Sequence, residues 1–220
     1  MGRVERAAHV RCNLYTGYVT LDLPTKLALP LPTGRPYWYW LGGRPALDFV
    51  NTLRERWQRR VECLVTPDDL SRWLSTAGLV SGRPTATLDD LAAARRLREA
   101  IDMLVGAAVE GRPSPRTEVA EIDEWLAREG VRARLVTTRG GPRLVEAPAG
   151  NPIEAALATI AFDAARMLGT DERSRIRVCA SPSCSARFYD RSPPGRRRWC
   201  SMSECGNRAK ARRHREKETS

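Results

Sequence analysis

The sequence is poor in histidine, the side chain that most often acts as a catalytic acid or base. It has two histidines, His9 and His214, near its two ends. It also contains neither a phosphate-binding P-loop nor the G-x-S-x-G nucleophile elbow of hydrolases. These absences favour a binding function, and we expect no catalytic residue and no enzyme.

Long hydrophobic segments are missing as well. No apolar run approaches the roughly 20 residues that a membrane helix needs, and the first residues lack the continuous apolar core of an export signal. The 220 residues, of which 42% are hydrophobic and 29% charged, suit one globular domain with a small appended module. We therefore expect a cytoplasmic protein with no membrane partner, in which thiols such as Cys12 and Cys63 stay reduced.

Lysine is scarce, since 34 of the 37 basic residues are arginine. Genome composition can explain the choice of arginine but not where the charge is concentrated. Residues 171–220 hold 14 basic and 6 acidic residues, a net charge of +8, whereas residues 1–170 carry a net charge of +3. Such a concentrated basic region is typical of a protein that binds a polyanion, because each neutralised phosphate releases counterions.

Four of the six cysteines form two Cys-x4-Cys pairs, Cys179 with Cys184 and Cys200 with Cys205, separated by fifteen residues. Four thiolates suit a tetrahedral zinc ion, and a site with four protein ligands leaves no position for a reactive water. The pattern predicts one structural Zn²⁺ held by these four residues. The alternative is two disulfides in a secreted domain.

The N-terminal region begins with a segment rich in proline and glycine, residues 1–36, which predicts an irregular arm with one strand around residues 18–23. The aromatic run Tyr37–Trp40 predicts a strand that enters the core, with a ligand-stacking surface as the alternative. From Ala46 onward, apolar residues recur at helical spacing as far as Leu53.

Within this predicted helix Asp48 and Asn51 are polar residues among apolar neighbours. Such residues most often make structural hydrogen bonds, and a ligand contact is the alternative.

The middle of the chain reads as a series of capped helices with one hairpin. Helix starts are predicted at Thr66, Thr87, Ser114 and Asn151, and residues 131–146 alternate around a Gly-Gly turn, as in a β-hairpin. The fold class is therefore α+β: a mostly helical N-terminal domain with a small antiparallel sheet, followed by a small four-cysteine module made of a strand and knuckle and then a basic helix.

The basic helix begins with Ser201 and Glu204, which are spaced as in a capping box. Met202, Cys205 and Ala209 share one helical face and are expected to point toward the metal. The expected nucleic-acid contacts are Arg196, Arg197, Arg208, Lys210, Arg212, Arg213 and Arg215. The alternative for the helix is a simple solvated face.

A zinc ion with four thiolates carries a formal charge of −2, which nearby guanidinium groups stabilise. Arg177, Arg187 and Arg198 are candidates for that role instead of DNA binding. Asn207 is expected to form a structural turn behind Cys205, with a contact to a DNA base as the alternative. Phe188 and Trp199 are expected to form the small apolar core of the module.

Two motifs go beyond composition. The sequence from Arg197 to Met202, followed by Cys205-Gly206-Asn207-Arg208, resembles the CGNR zinc-finger family of bacterial proteins. The run from Gly42 to Thr52 resembles the opening of the ABATE domain that usually precedes this finger. Together the two resemblances would cover about residues 37–217, and they imply a stress-induced transcription regulator whose finger binds DNA and whose N-terminal domain senses a signal or regulates.

The expected organisation is thus an arm at residues 1–36, a regulatory domain at 37–170 and a zinc finger at 175–217. The expected partner is DNA, with a homodimer and a small-molecule ligand of the N-terminal domain as further possible partners. The alternative is an RNA- or ribosome-associated module, which exposed aromatic side chains for base stacking would favour.

Overall fold

The computed structural model describes residues 38–128, 131–148 and 150–218, together with two short strands ahead of them. In these parts of the chain the helices are α1 (Pro45–Val50), α2 (Pro67–Thr76), α3 (Leu88–Glu110), α4 (Arg116–Leu126), α5 (Pro152–Gly169) and α6 (Asn207–Glu218). The strands are β1 (Arg11–Cys12), β2 (Val19–Thr20), β3 (Leu53–Arg54), β4 (Val61–Glu62), β5 (Val131–Thr138), β6 (Gly141–Pro148), β7 (Ile176–Val178) and β8 (Arg187–Tyr189). Each strand pairs antiparallel with its neighbour in sequence, so the mostly helical N-terminal part with small antiparallel sheets is confirmed.

The predicted capping signals explain where the longer helices begin. The hydroxyl of Thr66 accepts a hydrogen bond from the backbone N–H of Asp69 at 3.2 Å, and Thr87 accepts one from Asp90 at 3.1 Å. In both cases the aspartate carboxylate accepts in return from the backbone N–H of the threonine. Each reciprocal pair satisfies donors that the first helical turn leaves without a partner.

The core is built by the helices around α3 and α5. Helices α3, α4 and α5 pack against one another, and α1 packs against both α3 and α5. Leu97, Ile101, Leu157 and Ile160 are fully buried in this contact. At about 1.5–3 kcal/mol for each side chain of this size, such burial is the main source of stability for the N-terminal part.

The prediction that the aromatic run forms a strand was wrong for its described residues. Trp38, Tyr39 and Trp40 are half-buried and irregular, while Tyr37 lies outside the described residues. Trp40 stacks on Trp73 of α2 with ring centroids 5.5 Å apart. Trp38 and Trp40 therefore pack on the hydrophobic core without a partner strand. Of the predicted arm, the described part is β1 and β2, and β2 lies inside the strand expected at residues 18–23.

The helix predicted from Ala46 to Leu53 is shorter than expected. It ends at Val50, where the hydroxyl of Thr52 donates to the carbonyl of Phe49 at 2.7 Å. This bond competes with continuation of the helix, because the side chain occupies a carbonyl that the next turn would use. Leu53 instead starts β3, which pairs with β4.

The C-terminal strands rest on the helical part. Strand β8 packs against α1, and β7 packs against α3. The chain between α5 and β7 is a 3-10 helix over Asp171–Arg175 that packs against α5. Among the described helices, none combines the length and the apolar character required to cross a bilayer.

Candidate metal centre and nucleic-acid interface

Four cysteine sulfurs converge behind β7 and β8. The Sγ atoms of Cys179, Cys184, Cys200 and Cys205 all lie within 4.8 Å of one another. Cys184 and Cys200 are 3.8 Å apart, and Cys200 and Cys205 are 3.7 Å apart. A tetrahedron with Zn–S bonds of about 2.3 Å has edges of about 3.8 Å, so the donor set fits zinc. None of the four forms a disulfide, and the disulfide alternative is wrong for this structure.

Short backbone turns place these sulfurs. The N–H of Cys179 donates to the carbonyl of Ala186 at 2.9 Å, which extends the β7–β8 pairing, and the N–H of Cys184 closes a turn on Ser181 at 2.9 Å. On the other side, Ser201 accepts from the N–H of Glu204 at 3.3 Å, as the capping motif predicted. The first turn, Met202–Gly206, is a wide π-helical turn, and the regular helix α6 starts at Asn207.

The expected orientation of this turn was correct in part. Cys205 and Ala209 are buried, whereas Met202 is 52% exposed and lies outside the buried cluster around the cysteines. A Cβ on Gly206 would lie 2.8 Å from Met202 Sδ and 3.4 Å from Trp199. A side chain at this position would have to displace the end of the Met202 side chain, which is exposed and can move.

The apolar core of the module is small, as predicted. Phe188 is fully buried beside the cysteines, and Trp199 packs against the same cluster. Asn207 is exposed at the start of α6 and donates to the carbonyl of Ser203 at 3.2 Å, so it starts the helix instead of forming a turn to the thiolates.

Two arginines expected to contact nucleic acid bond to the metal loops. Arg208 donates to the Sγ atom of Cys205 at 3.0 Å. Arg197 donates to the carbonyl of Cys200 at 2.8 Å and lies over the ring of Phe188. Both can stabilise the negative charge of a zinc tetrathiolate or the loop around it.

The three arginines proposed for that role have other partners. Arg177 donates to the carbonyl of Gly195 at 2.8 Å. Arg198 lies over the ring of Trp199. Arg187 is buried and pairs with Asp102 of α3, with its Nε atom 2.8 Å from the carboxylate.

Asn51 holds the four-cysteine module against the helical part. Its Oδ1 atom accepts from the N–H of Arg187 at 2.8 Å, and its Nδ2 atom donates to the carbonyl of the same residue at 2.9 Å. The side chain is 4% exposed. The expectation of a structural hydrogen bond at Asn51 is confirmed, and the bond joins residues 136 positions apart.

A buried charge cluster lies next to this anchor and was not expected from the sequence. Arg56 and Arg187 both contact the carboxylate of Asp102, at 3.3 and 2.8 Å, and Arg56 also contacts Glu99 at 2.6 Å. Burial lowers the pKa of Arg187, and the charge of Asp102 opposes that effect. The available signal was the i, i+3 spacing of Glu99 and Asp102, which places both on one face of α3.

Asp48 is the second polar residue of α1 that the sequence singled out. It is 6% exposed, and its Oδ1 atom accepts from the N–H of Gly42 at 2.7 Å. Burial raises the pKa of Asp48 to about 8; the Gly42 hydrogen bond and Arg191 lower it, while the charge of Asp163 raises it. A Cβ on Gly42 would lie 2.6 Å from the backbone nitrogen of Asp48, so position 42 requires glycine.

The remaining predicted nucleic-acid contacts lie on the surface. Lys210, Arg212, Arg213 and Arg215 are exposed on α6, and Arg196 is exposed in the loop before Cys200. Arg212 and Arg213 face Arg198 and Trp199 across a groove of about 340 Å³. The loop and the helix thus present their cations to the same side of the module.

The geometry defines a four-cysteine zinc finger attached to a helical domain, and comparison with known families agrees. Residues 43–171 match the ABATE family, described as "Putative stress-induced transcription regulator", and residues 175–218 match the CGNR zinc finger. The first match covers more than half of the chain, which therefore belongs to the ABATE family and carries a CGNR finger with one structural zinc site. A search of curated proteins found no match.

Proposed function

We propose that the protein is a DNA-binding transcription regulator without enzymatic activity, in which a regulatory domain at residues 37–170 controls a zinc finger at residues 175–217. The observation that supports this most is the exposed basic surface of α6, which directly follows the zinc ligands Cys200 and Cys205. Zinc sets the direction of the helix, and the helix carries the cations.

Helix α6 has dimensions suited to duplex DNA. It spans 12 residues, six of them basic and two acidic, and an α-helix fits the major groove. Arg212 and Arg213 are the best phosphate contacts, since both are exposed and face the basic loop. Arg208 bonds to the Sγ atom of Cys205, so it ranks below Arg212 and Arg213 as a phosphate contact.

Duplex DNA is a better partner than single-stranded RNA because the finger presents few stacking surfaces. Among the described aromatic residues of the finger, Phe188 is buried, and Tyr189 and Trp199 are half-buried. Tyr189 packs on the helical core, and Trp199 is covered by Arg198. Base stacking needs exposed rings.

A single module of this size offers few base contacts. Specific recognition then requires two half-sites and a homodimer. We propose that the helical domain supplies the dimer contact.

The test is a salt titration of binding, monitored by the fluorescence anisotropy of labelled duplex DNA and of labelled single-stranded RNA of the same sequence. Each phosphate contact contributes about 0.9 to the slope of log affinity against log salt. The double variant Arg212→Gln and Arg213→Gln should therefore lower the slope by about 1.8.

The matched control is the double variant Arg112→Gln and Arg128→Gln. These arginines are 57% and 43% exposed on the helical domain and pair with Glu110 and Glu154, much as Arg212, 49% exposed, pairs with Glu216. The control should leave the slope unchanged. Equal slopes in all three proteins, or tighter binding to the RNA, would contradict the proposal.

A further inference from the structure

A cavity of about 510 Å³ lies between the helical domain and the zinc finger. The helical domain contributes Tyr39, Leu53 and Arg54 to its wall, and the finger contributes Ser185, Ser201 and Arg208. This volume is in the range of sites for small organic ligands. Because both units form the wall, its shape depends on how the finger sits on the domain.

One end of the cavity is positively charged. Arg59 donates to both carboxylate oxygens of Glu55, at 2.6 and 2.5 Å. This hydrogen bond lowers the pKa of Glu55, and the charges of Arg59, Arg54 and Arg208 lower it further. Arg208 is already bonded to the Sγ atom of Cys205 on the metal side. Arg54 and Arg59 therefore accompany one carboxylate, Glu55, which leaves one excess positive charge at this end.

The deepest cation at this end is held in place by an aromatic ring. Arg54 is 3% exposed. It lies over the ring of Tyr39 at 3.7 Å from the centroid and donates to the tyrosine hydroxyl. Burial raises the pKa of Tyr39, so the hydroxyl stays protonated and can donate to a ligand.

The other walls limit the kind of ligand. Leu41 and Leu53 supply apolar surface, while Glu204 and three of the zinc cysteines line the side next to the metal. A second anionic group on that side would meet the negative tetrathiolate. The ligand that fits carries one anionic group and an apolar body.

We propose that this cavity binds a small organic anion, with its carboxylate or phosphate group between Arg54 and Arg59 and its apolar part against Tyr39 and Leu53. Binding of the ligand to this cavity would then be coupled to the position of the finger on the helical domain, since both units contact the ligand. That coupling rests on the proposed function, whereas binding of the ligand does not.

The experiment uses the zinc-loaded full chain and anilinonaphthalene sulfonate, a fluorescent dye with one sulfonate on aromatic rings. We expect saturable binding, and a dissociation constant about tenfold higher in Arg59→Gln, because one charge-assisted contact is lost. The control is Arg83→Gln, which removes an arginine that is 53% exposed and paired with Asp68, where Arg59 is 48% exposed and paired with Glu55. The control should bind the dye as the wild type does.

A second variant locates the dye. The groove between α3, α4 and α5 has a similar volume of about 520 Å³, and Ala108 lines it. Ala108→Trp fills that groove and should leave dye binding unchanged if the dye occupies the cavity between the units.

Benzoate and phenyl phosphate then compete with the dye, and displacement by one or both identifies the preferred anionic group. The proposal is overturned by the absence of saturable binding, by equal affinity in Arg59→Gln and Arg83→Gln, by loss of binding in Ala108→Trp, or by displacement with neither competitor.

Discussion

The helical domain and the zinc finger are stabilised by different means. The domain buries large side chains from five helices in one continuous core, including Leu97, Ile101 and Trp73. The finger's own buried cluster consists of Phe188, Ala186 and three of its cysteines. Two apolar side chains contribute a few kcal/mol at most, so the finger depends on its metal and on the surface of the domain.

The arginines where the two units meet also differ from those on the surface of the finger. Arg56 and Arg187 are buried where the finger meets the domain and bind carboxylates of α3. Arg212 and Arg213 are exposed on α6. An excess of arginine in a sequence therefore includes structural groups as well as candidate phosphate contacts, and burial separates the two.

Removal of one zinc ligand should have the largest effect. In Cys200→Ser the site loses a thiolate, and structural zinc contributes on the order of 10 kcal/mol to small metal domains. We expect the zinc content to fall from one ion per chain to near zero, measured by metal analysis of purified protein. The matched control is Cys63→Ser, because Cys63 is buried in the helical domain and burial raises its thiol pKa to about 11. Retention of zinc in Cys200→Ser would contradict the assignment of this ligand.

Loss of the anchor between the two units should have the next largest effect. Asn51→Ala leaves the buried N–H and carbonyl of Arg187 without their partner, at a cost of about 1–3 kcal/mol for each group. We expect faster proteolysis of the finger while the helical domain stays resistant. Mass spectrometry of the fragments measures the cleavage of each region.

The control for this anchor is Gln58→Ala. Gln58 also bridges the units, through the carbonyl of Pro182 at 3.3 Å, but the contact is exposed. It should leave the cleavage rate nearly unchanged. Equal rates in both variants would show that Asn51 does not hold the finger.

A smaller effect is expected from the buried carboxyl of α1. The pKa of Asp48 is raised from 3.8 to about 8 in the folded protein, so its contribution to stability is complete below about pH 4 and is lost as the pH rises to about 8. Asp48→Asn keeps an acceptor for Gly42 and does not titrate. The free energy of unfolding of the wild type, relative to this variant, should fall by about 2 kcal/mol between about pH 6 and pH 7.5. Parallel pH profiles in urea denaturation would refute the raised pKa.

Local signals predicted much of the helical domain. The caps at Thr66 and Thr87, the hairpin at the Gly-Gly turn and the helix after Asn151 depend on residues close in sequence. The early end of α1 did not follow from periodicity, because it depends on the hydroxyl of Thr52 competing for one carbonyl. The strand prediction for the aromatic run was wrong because Trp40 stacks on Trp73, a residue of α2 that is distant in sequence.

The metal site was predictable in its ligands but not in its surroundings. Cysteine spacing identifies four donors without knowledge of the fold. The contacts of Arg187 with Asp102 and with Asn51 join residues 85 and 136 positions apart, and no local pattern encodes such partners. Arg208 could not be assigned either, since the same guanidinium suits a thiolate and a phosphate.

The most direct test is hydrogen exchange of the full chain, measured by mass spectrometry with and without a zinc chelator. Chelation should remove protection from residues 176–210 and leave α3 and α5 protected, since the helical domain has its own core. Protection of the finger that persists without zinc, or loss of protection throughout the chain, would contradict the conclusion that metal stabilises the finger and apolar packing stabilises the domain.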